Sequence, residues 1–131
     1  MVCLDTSFLI DVLRGEKRVE EIENRLDKGT EPVKVASPAI MELIRGAVLS
    51  NNPETEKQKV HQLLSYLIVL NLDKESAIIA GNIEAELIKA GEKIDVEDIM
   101  IGAIAKKDNE TLLTRNKKHF EKIKGLKIES Y

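Results

Sequence analysis

Tryptophan is absent and aromatics make up only 3% of the 131 residues, which argues against a base-stacking platform for single-stranded nucleic acid. A lone cysteine, Cys3, excludes an internal disulfide and any multi-cysteine zinc site, and fits a reducing cytoplasm. With only 7 Gly and 3 Pro, and no repeats, the chain is neither collagenous nor low-complexity. No apolar run approaches the about 20 residues needed to span a bilayer, and the opening MVCLDTSFLIDVLRG reads neither as a membrane span nor as a signal peptide. What is present is 43% hydrophobic residues spread along the whole length among 33% charged ones. Residues 1–131 are therefore expected to form one compact domain with a real core.

The net charge of -3 conceals an asymmetry. From Lys106 to Lys127 there are eight basic and three acidic residues, so this stretch is +5 and the remainder is -8. Such a stretch serves either as a solvated face or as a contact for a phosphate backbone.

Apolar periodicity alternates between strand-like and helix-like segments. Val2-Cys3-Leu4 reads as a short buried strand, followed by a helix from about Ser7 to Arg14 that Gly15 ends in the left-handed conformation. Val19, Ile22 and Leu26 recur at helical spacing, and Val33–Ala36 reads as a second strand. Ser37 as N-cap and Pro38 at the first helical position predict a helix to about Leu49. Glu54 to Leu67 reads as an amphipathic helix and Ile68–Leu70 as a third strand. Asp73 caps a long helix, ended by Gly91, with Ala77, Ile78, Ala80, Ile83, Leu87 and Ile88 expected to face inward. Asp95 stands as N-cap of a helix from Val96 to Lys107 that is apolar on every side and so central. Thr111–Thr114 is a fourth strand, Arg115 to Ile123 a short basic helix, and Leu126–Ile128 an edge strand. Strands alternating with helices predict an α/β fold of three layers, α/β/α, with a mostly parallel central sheet of four to five strands.

In such a sheet the functional crevice lies beyond the carboxyl ends of the strands. Asp5, Glu42, Asp98 and Asn116 are the polar residues stationed there, and each has an ordinary structural explanation as well. Asp5 serves as an N-cap, or holds an ion with Thr6 and Ser7 beside it. Glu42 pairs with Arg45 at i+3, or faces the crevice. Asp98 steadies a helix N-terminus, although an unpaired carboxylate in the most apolar helix is costly to bury. Asn116 suits a turn, and Asp95 is assigned mainly to capping with a lesser role lining the site. Their convergence carries the weight. Three carboxylates and an amide oxygen at one sheet edge repel one another without a cation, and hard oxygen ligands select Mg²⁺ or Mn²⁺ over zinc. Such a site polarises a phosphate and generates a nucleophilic water, the chemistry of a phosphodiester hydrolase. His119 is near enough to Asn116 to be an accessory residue, His61 belongs to a surface helix, and Gly102 is read as a close-packing position.

Four blocks in order resemble the PIN-domain ribonucleases, in particular the VapC-type toxins of prokaryotic toxin–antitoxin pairs. They are Leu4–Asp11, Ala39–Gly46, Ile94–Ala103 and Leu113–Phe120, and the resemblance covers essentially the whole chain. It implies a PIN-like fold and a Mg²⁺-dependent endoribonuclease with Asp5, Glu42 and Asp98 as metal-binding acids. Thr6, Ser7 and Thr114 become nearby hydroxyl positions. Homodimers and a small VapB-like antitoxin whose tail enters the acidic groove are further implications. Where many relatives have a fourth Asp this chain has Asn116, which holds a second cation less well. Arg14, Arg45, Arg115, Lys117 and Lys118 are the expected RNA contacts. Two other readings stay open: a catalytically weak module that binds RNA or a partner, and a phospho-acceptor receiver domain, which wants paired acids where Asp5 is followed by Thr6.

Overall fold

The computed structural model describes residues 1–131. Strands β1 (Val2–Leu4), β2 (Val33–Ala36), β3 (Ile68–Leu70), β4 (Thr111–Thr114) and β5 (Lys127–Ser130) form one sheet in the order β3-β2-β1-β4-β5. Every pairing is parallel, with Leu4 in register with Val35 on one side and Leu113 on the other. Seven helices connect them: α1 (Thr6–Leu13), α2 (Lys17–Lys28), α3 (Ser37–Val48), α4 (Pro53–Leu64), α5 (Lys74–Lys89), α6 (Val96–Lys107) and α7 (Lys117–Phe120). Right-handed crossovers put α1–α4 on one face of the sheet and α5–α7 on the other, giving three layers. No helix is long and apolar enough to cross a membrane.

One hydrophobic cluster holds these layers together. Phe8 and Leu9 of α1 pack from one side, Ile101 and Ile104 of α6 from the other, and Cys3, Leu112 and Leu113 lie fully buried in the strands between. The α6 helix is buried on nearly all sides, from Ile99 through Ala105, as its apolar sequence requires. A Cβ added at Gly102 would sit 2.6 Å from Ile123 Cδ1, so the glycine admits the segment after α7 to the helix surface. Gly15 and Gly91 both have positive φ, at +68° and +70°, and stop α1 and α5 as expected.

Several local expectations need correction. Ala36, not Ser37, is the N-cap of α3, and Ser37 begins the helix. The α4 helix ends at Leu64 and α7 spans only four residues. In α5 the buried line is Ser76, Ala80, Ile83 and Leu87, while Ala77 is exposed and Ile78 and Ile88 are 57% and 70% exposed. A stripe at i, i+4, i+7 buries one seam, and the six apolar residues assigned inward spread beyond it. Asp73 does cap this helix, accepting from the Ser76 N–H at 2.9 Å while Ser76 Oγ accepts from the Asp73 N–H. Asp95 occupies the N-cap position of α6 without a side-chain cap bond and is exposed.

The tight contact at Gly102 predicts that Gly102→Val lowers stability by about 2 kcal/mol, through overpacking against Ile123. Urea unfolding checks this, and an unchanged midpoint would mean that the neighbouring segment yields freely.

Candidate active site

From β1 the chain winds outward through β2 to β3, then returns across the sheet to β4 and β5. The reversal falls between β1 and β4, and there the crevice opens beyond the strands' carboxyl ends. Asp5 follows β1, and across the gap Thr114 ends β4 with Arg115 and Asn116 following it. Glu42 comes from the second turn of α3 and Asp98 from the first turn of α6.

Asp5 has N-cap geometry but does not cap α1. It is 2% exposed, and its Oδ2 accepts from Ser7 Oγ at 2.8 Å and Thr114 Oγ1 at 2.7 Å. Each hydroxyl is oriented in turn. The Arg115 backbone N–H donates to Ser7 Oγ at 3.1 Å and the Asn116 backbone N–H to Thr114 Oγ1 at 2.9 Å. Asp5 Oδ1, by contrast, is buried with no hydrogen-bond partner. A carboxylate oxygen left in that state is costly unless a cation meets it.

The other acids surround that oxygen electrostatically. Thr6 Oγ1 donates to Glu42 Oε1 at 2.8 Å, while Arg45 approaches Glu42 Oε2 only to 4.0 Å, so the i+3 ion pair is the weaker of its contacts. Burial pushes the Glu42 carboxyl above its ordinary value, against the pull of the Thr6 hydroxyl, with the negative charges of Asp5 and Glu97 adding to the rise. Asp98 is pushed up to about 6, first by burial and then by the charges of Asp5 and Glu42. His119 Nδ1 stands 3.4 Å from Asp98 Oδ2 and works against that rise.

Asp5, Glu42 and Asp98 are thus brought into mutual electrostatic range, although as placed they do not close into a three-ligand cage. An orphaned buried oxygen, two further acids of raised pKa and an all-oxygen donor set fit a hard divalent ion. They do not fit zinc. Asn116 reaches the cluster through its backbone N–H, and Thr6, Ser7 and Thr114 all bond directly to its carboxylates. Asp95 makes no bond to it; it lines a neighbouring 370 Å³ groove with Ile94, Ile99 and His119.

The basic residues divide into two groups. Arg115 donates from Nη1 to buried Asp11 at 2.8 Å while 35% of its side chain stays exposed. Arg45 pairs with Glu97 at 3.6 Å, and within the +5 stretch Lys107 pairs with Asp73 and Lys122 with Glu92. Arg14, Lys117 and Lys118 are exposed and form no ion pair. Asp11 escaped the sequence reading, since a single acid inside an apolar helix resembles a solvated position. Cys3 offers no nucleophile, its thiol pushed up to about 12 by burial and by the charges of Glu110 and Asp5.

Comparison with known proteins agrees with this architecture. The sequence matches the PIN domain family over residues 2–126. It is 34% identical to the tRNA(fMet)-specific endonuclease VapC of Salmonella typhimurium, covering 98% of this chain and 96% of that protein. It is also 34% identical to ribonuclease VapC1 of Methanocaldococcus jannaschii, covering 97% and 85%. Among solved structures, VapBC2 from Rickettsia felis bound to a promoter DNA fragment superposes with a TM-score of 0.91 at 25% identity, over 100% of this chain and 99% of that one. DNA-bound VapBC from Salmonella typhimurium gives 0.90 at 34% identity, over 98% and 96%. With a sheet reversing between β1 and β4, acids gathered at that reversal and relatives matched from end to end, the chain belongs to the PIN domain family, with VapC ribonucleases among its relatives.

Proposed function

We propose that residues 1–131 act as a single PIN domain that hydrolyses RNA phosphodiester bonds endonucleolytically with Mg²⁺, Mn²⁺ substituting, as the toxin of a VapBC-type pair. The observation that carries this reading is the Asp5 carboxylate, one oxygen doubly hydrogen-bonded and the other buried and bare. Asp5, Glu42 and Asp98 are the residues that would hold the ion. Bound there, it would polarise a phosphate and lower the pKa of a water.

The chain's own groups supply the rest. Ser7 and Thr114 hold Asp5 through Oδ2 and leave Oδ1 without a protein partner, and Thr6 holds Glu42. The Asn116 amide positions water or RNA but adds no charge, which favours one resident cation over two. Arg14, Lys117 and Lys118 form no ion pair and are the cations offered to the RNA backbone, while Arg45 and Arg115 also bond to Glu97 and Asp11. The names of the Salmonella and Shigella relatives make initiator tRNA the first substrate to try. The solved VapBC complexes support a VapB-like antitoxin as partner, and a homodimeric toxin acting in the cytoplasm is part of the same proposal.

Incubating purified protein with cellular RNA is expected to give discrete products with Mg²⁺ and none with chelator. Asp98→Asn is expected to reduce cleavage at least a hundredfold with the fold intact by circular dichroism. Retained cleavage by that variant rejects the assignment, and RNA binding without cleavage by the wild type favours the binding-module reading.

The same carboxylate makes a stability prediction. With its folded pKa near 6 and an unfolded value of 3.8, Asp98 binds more protons when folded between these limits, so its ionisation costs stability as pH rises from about 4 to 7. In metal-free protein at pH 7, Asp98→Asn is expected to raise Tm by a few degrees, about 1 kcal/mol after solvent screening, and to leave it unchanged near pH 4. Calorimetry at the two pH values decides it, and a gain that does not depend on pH counts against this origin.

A further inference from the structure

Asp11 lies within α1, fully buried, two turns from Asp5, and the reaction proposed above makes no use of it. Three side chains converge on its carboxylate. Arg115 Nη1 donates to Oδ1 at 2.8 Å, Arg18 Nη2 donates to the same oxygen at 3.2 Å, and the Tyr131 hydroxyl donates to Oδ2 at 2.8 Å. Tyr131 is also seated edge-on against Phe8, with ring centroids 5.5 Å apart at 83°. A buried carboxylate with two guanidiniums and a phenol is a clamp on whatever those groups are attached to.

One of them is attached to the active site. Arg115 carries the peptide N–H that donates to Ser7 Oγ, and Ser7 Oγ donates to Asp5 Oδ2. The flanking residues complete the arrangement, Thr114 bonding to Asp5 from its hydroxyl and the Asn116 N–H bonding to Thr114 Oγ1. The β4–α7 connection therefore has its side chain anchored on Asp11 and its backbone and hydroxyl aimed at Asp5.

We infer that Asp11, with Arg115 and Tyr131, is a positioning device for the candidate metal site: it holds the Thr114–Asn116 connection so that two oriented hydroxyls occupy Asp5 Oδ2 and leave Oδ1 free for a cation. The claim rests on the reading of Asp5 as a metal-binding acid. It assigns Arg115 to the scaffold rather than to RNA. A charge-assisted bond from a planar guanidinium is directional, so the anchor fixes the orientation of the connection as well as its distance. Arg18 shares the Asp11 oxygen but leads nowhere near Asp5, and marks the part of the clamp that serves stability alone.

The test uses the 131-residue chain and five variants: Asp11→Asn, Tyr131→Phe, Arg18→Ala, Ser7→Ala and the Asp11→Asn/Ser7→Ala double. Mn²⁺ affinity by calorimetry and amide exchange of Arg115 and Asn116 in metal-free protein are read beside RNA cleavage. Asp11→Asn is expected to weaken Mn²⁺ binding and lower kcat at least tenfold with KM for RNA within twofold, and to speed Arg115 amide exchange at least tenfold. Tyr131→Phe, which keeps the ring on Phe8, should do the same to a smaller degree, while Arg18→Ala leaves Mn²⁺ affinity and kcat within twofold. Because the clamp acts through Ser7, adding Asp11→Asn to Ser7→Ala should cost little more than Ser7→Ala alone. Unchanged Mn²⁺ affinity in both folded Asp11→Asn and Tyr131→Phe overturns the inference, as do fully additive losses. If the wild type binds Mn²⁺ but cleaves no RNA, the nuclease reading fails and the Mn²⁺ and exchange data still decide the clamp. If it binds no Mn²⁺, both fall together.

Discussion

A carboxylate buried at the head of a parallel sheet imposes terms on everything around it. Asp5 is 2% exposed and follows a strand whose three residues are nearly all core, so it has no water to fall back on. One of its oxygens takes two hydroxyl hydrogen bonds, and each hydroxyl is oriented by a backbone N–H across the gap between β1 and β4. The other oxygen is left bare. That asymmetry turns a packing problem into a binding site, because the most favourable remaining partner for a desolvated carboxylate oxygen among other carboxylates is a hard cation.

The rest of the fold delivers the remaining charges to that point. The reversal of strand order opens the crevice, the apolar bulk of α6 fixes the depth at which Asp98 sits, and α3 brings Glu42 against Thr6. Glu42 and Asp98 are both raised above their ordinary values, first by burial and then by the charges of their acidic neighbours. Stability is given up here for function, a trade common at catalytic sites. At the opposite end of the sheet Glu110 also has both carboxylate oxygens buried without a hydrogen bond, but there Lys34 Nζ stands 3.5 Å from Oε1 and supplies a neighbouring positive charge.

Much was legible in the sequence because the relevant signals are local. Alternating apolar periods marked the five strands and the helices between them, Gly15 and Gly91 marked two helix ends, and Asp73 marked a cap. The four blocks around Asp5, Glu42, Asp98 and Asn116 pointed to one site, since strand ends in such a sheet share one edge. What failed depended on long-range packing. Whether Ile78 and Ile88 face inward depends on which seam of α5 meets α6, and nothing within the helix specifies that. The +5 stretch was open between a solvated face and a phosphate contact, and its local sequence could not tell that Lys107, Lys122 and Arg115 each find an acid far away in sequence.

The sequence alone thus determined the fold class, the order of elements and the identity of the clustered acids, because periodicity, capping and chain order are properties of neighbours. Only the tertiary structure decided that Asp5 accepts two hydroxyls instead of capping its helix, that Arg115 turns inward to Asp11, and that Asp95 stands clear of the carboxylates. Those outcomes depend on partners some hundred residues apart, such as Asp5 with Thr114 and Asp11 with Tyr131. A side chain's choice among donors is made by burial and distance, and both come into being only when the sheet closes.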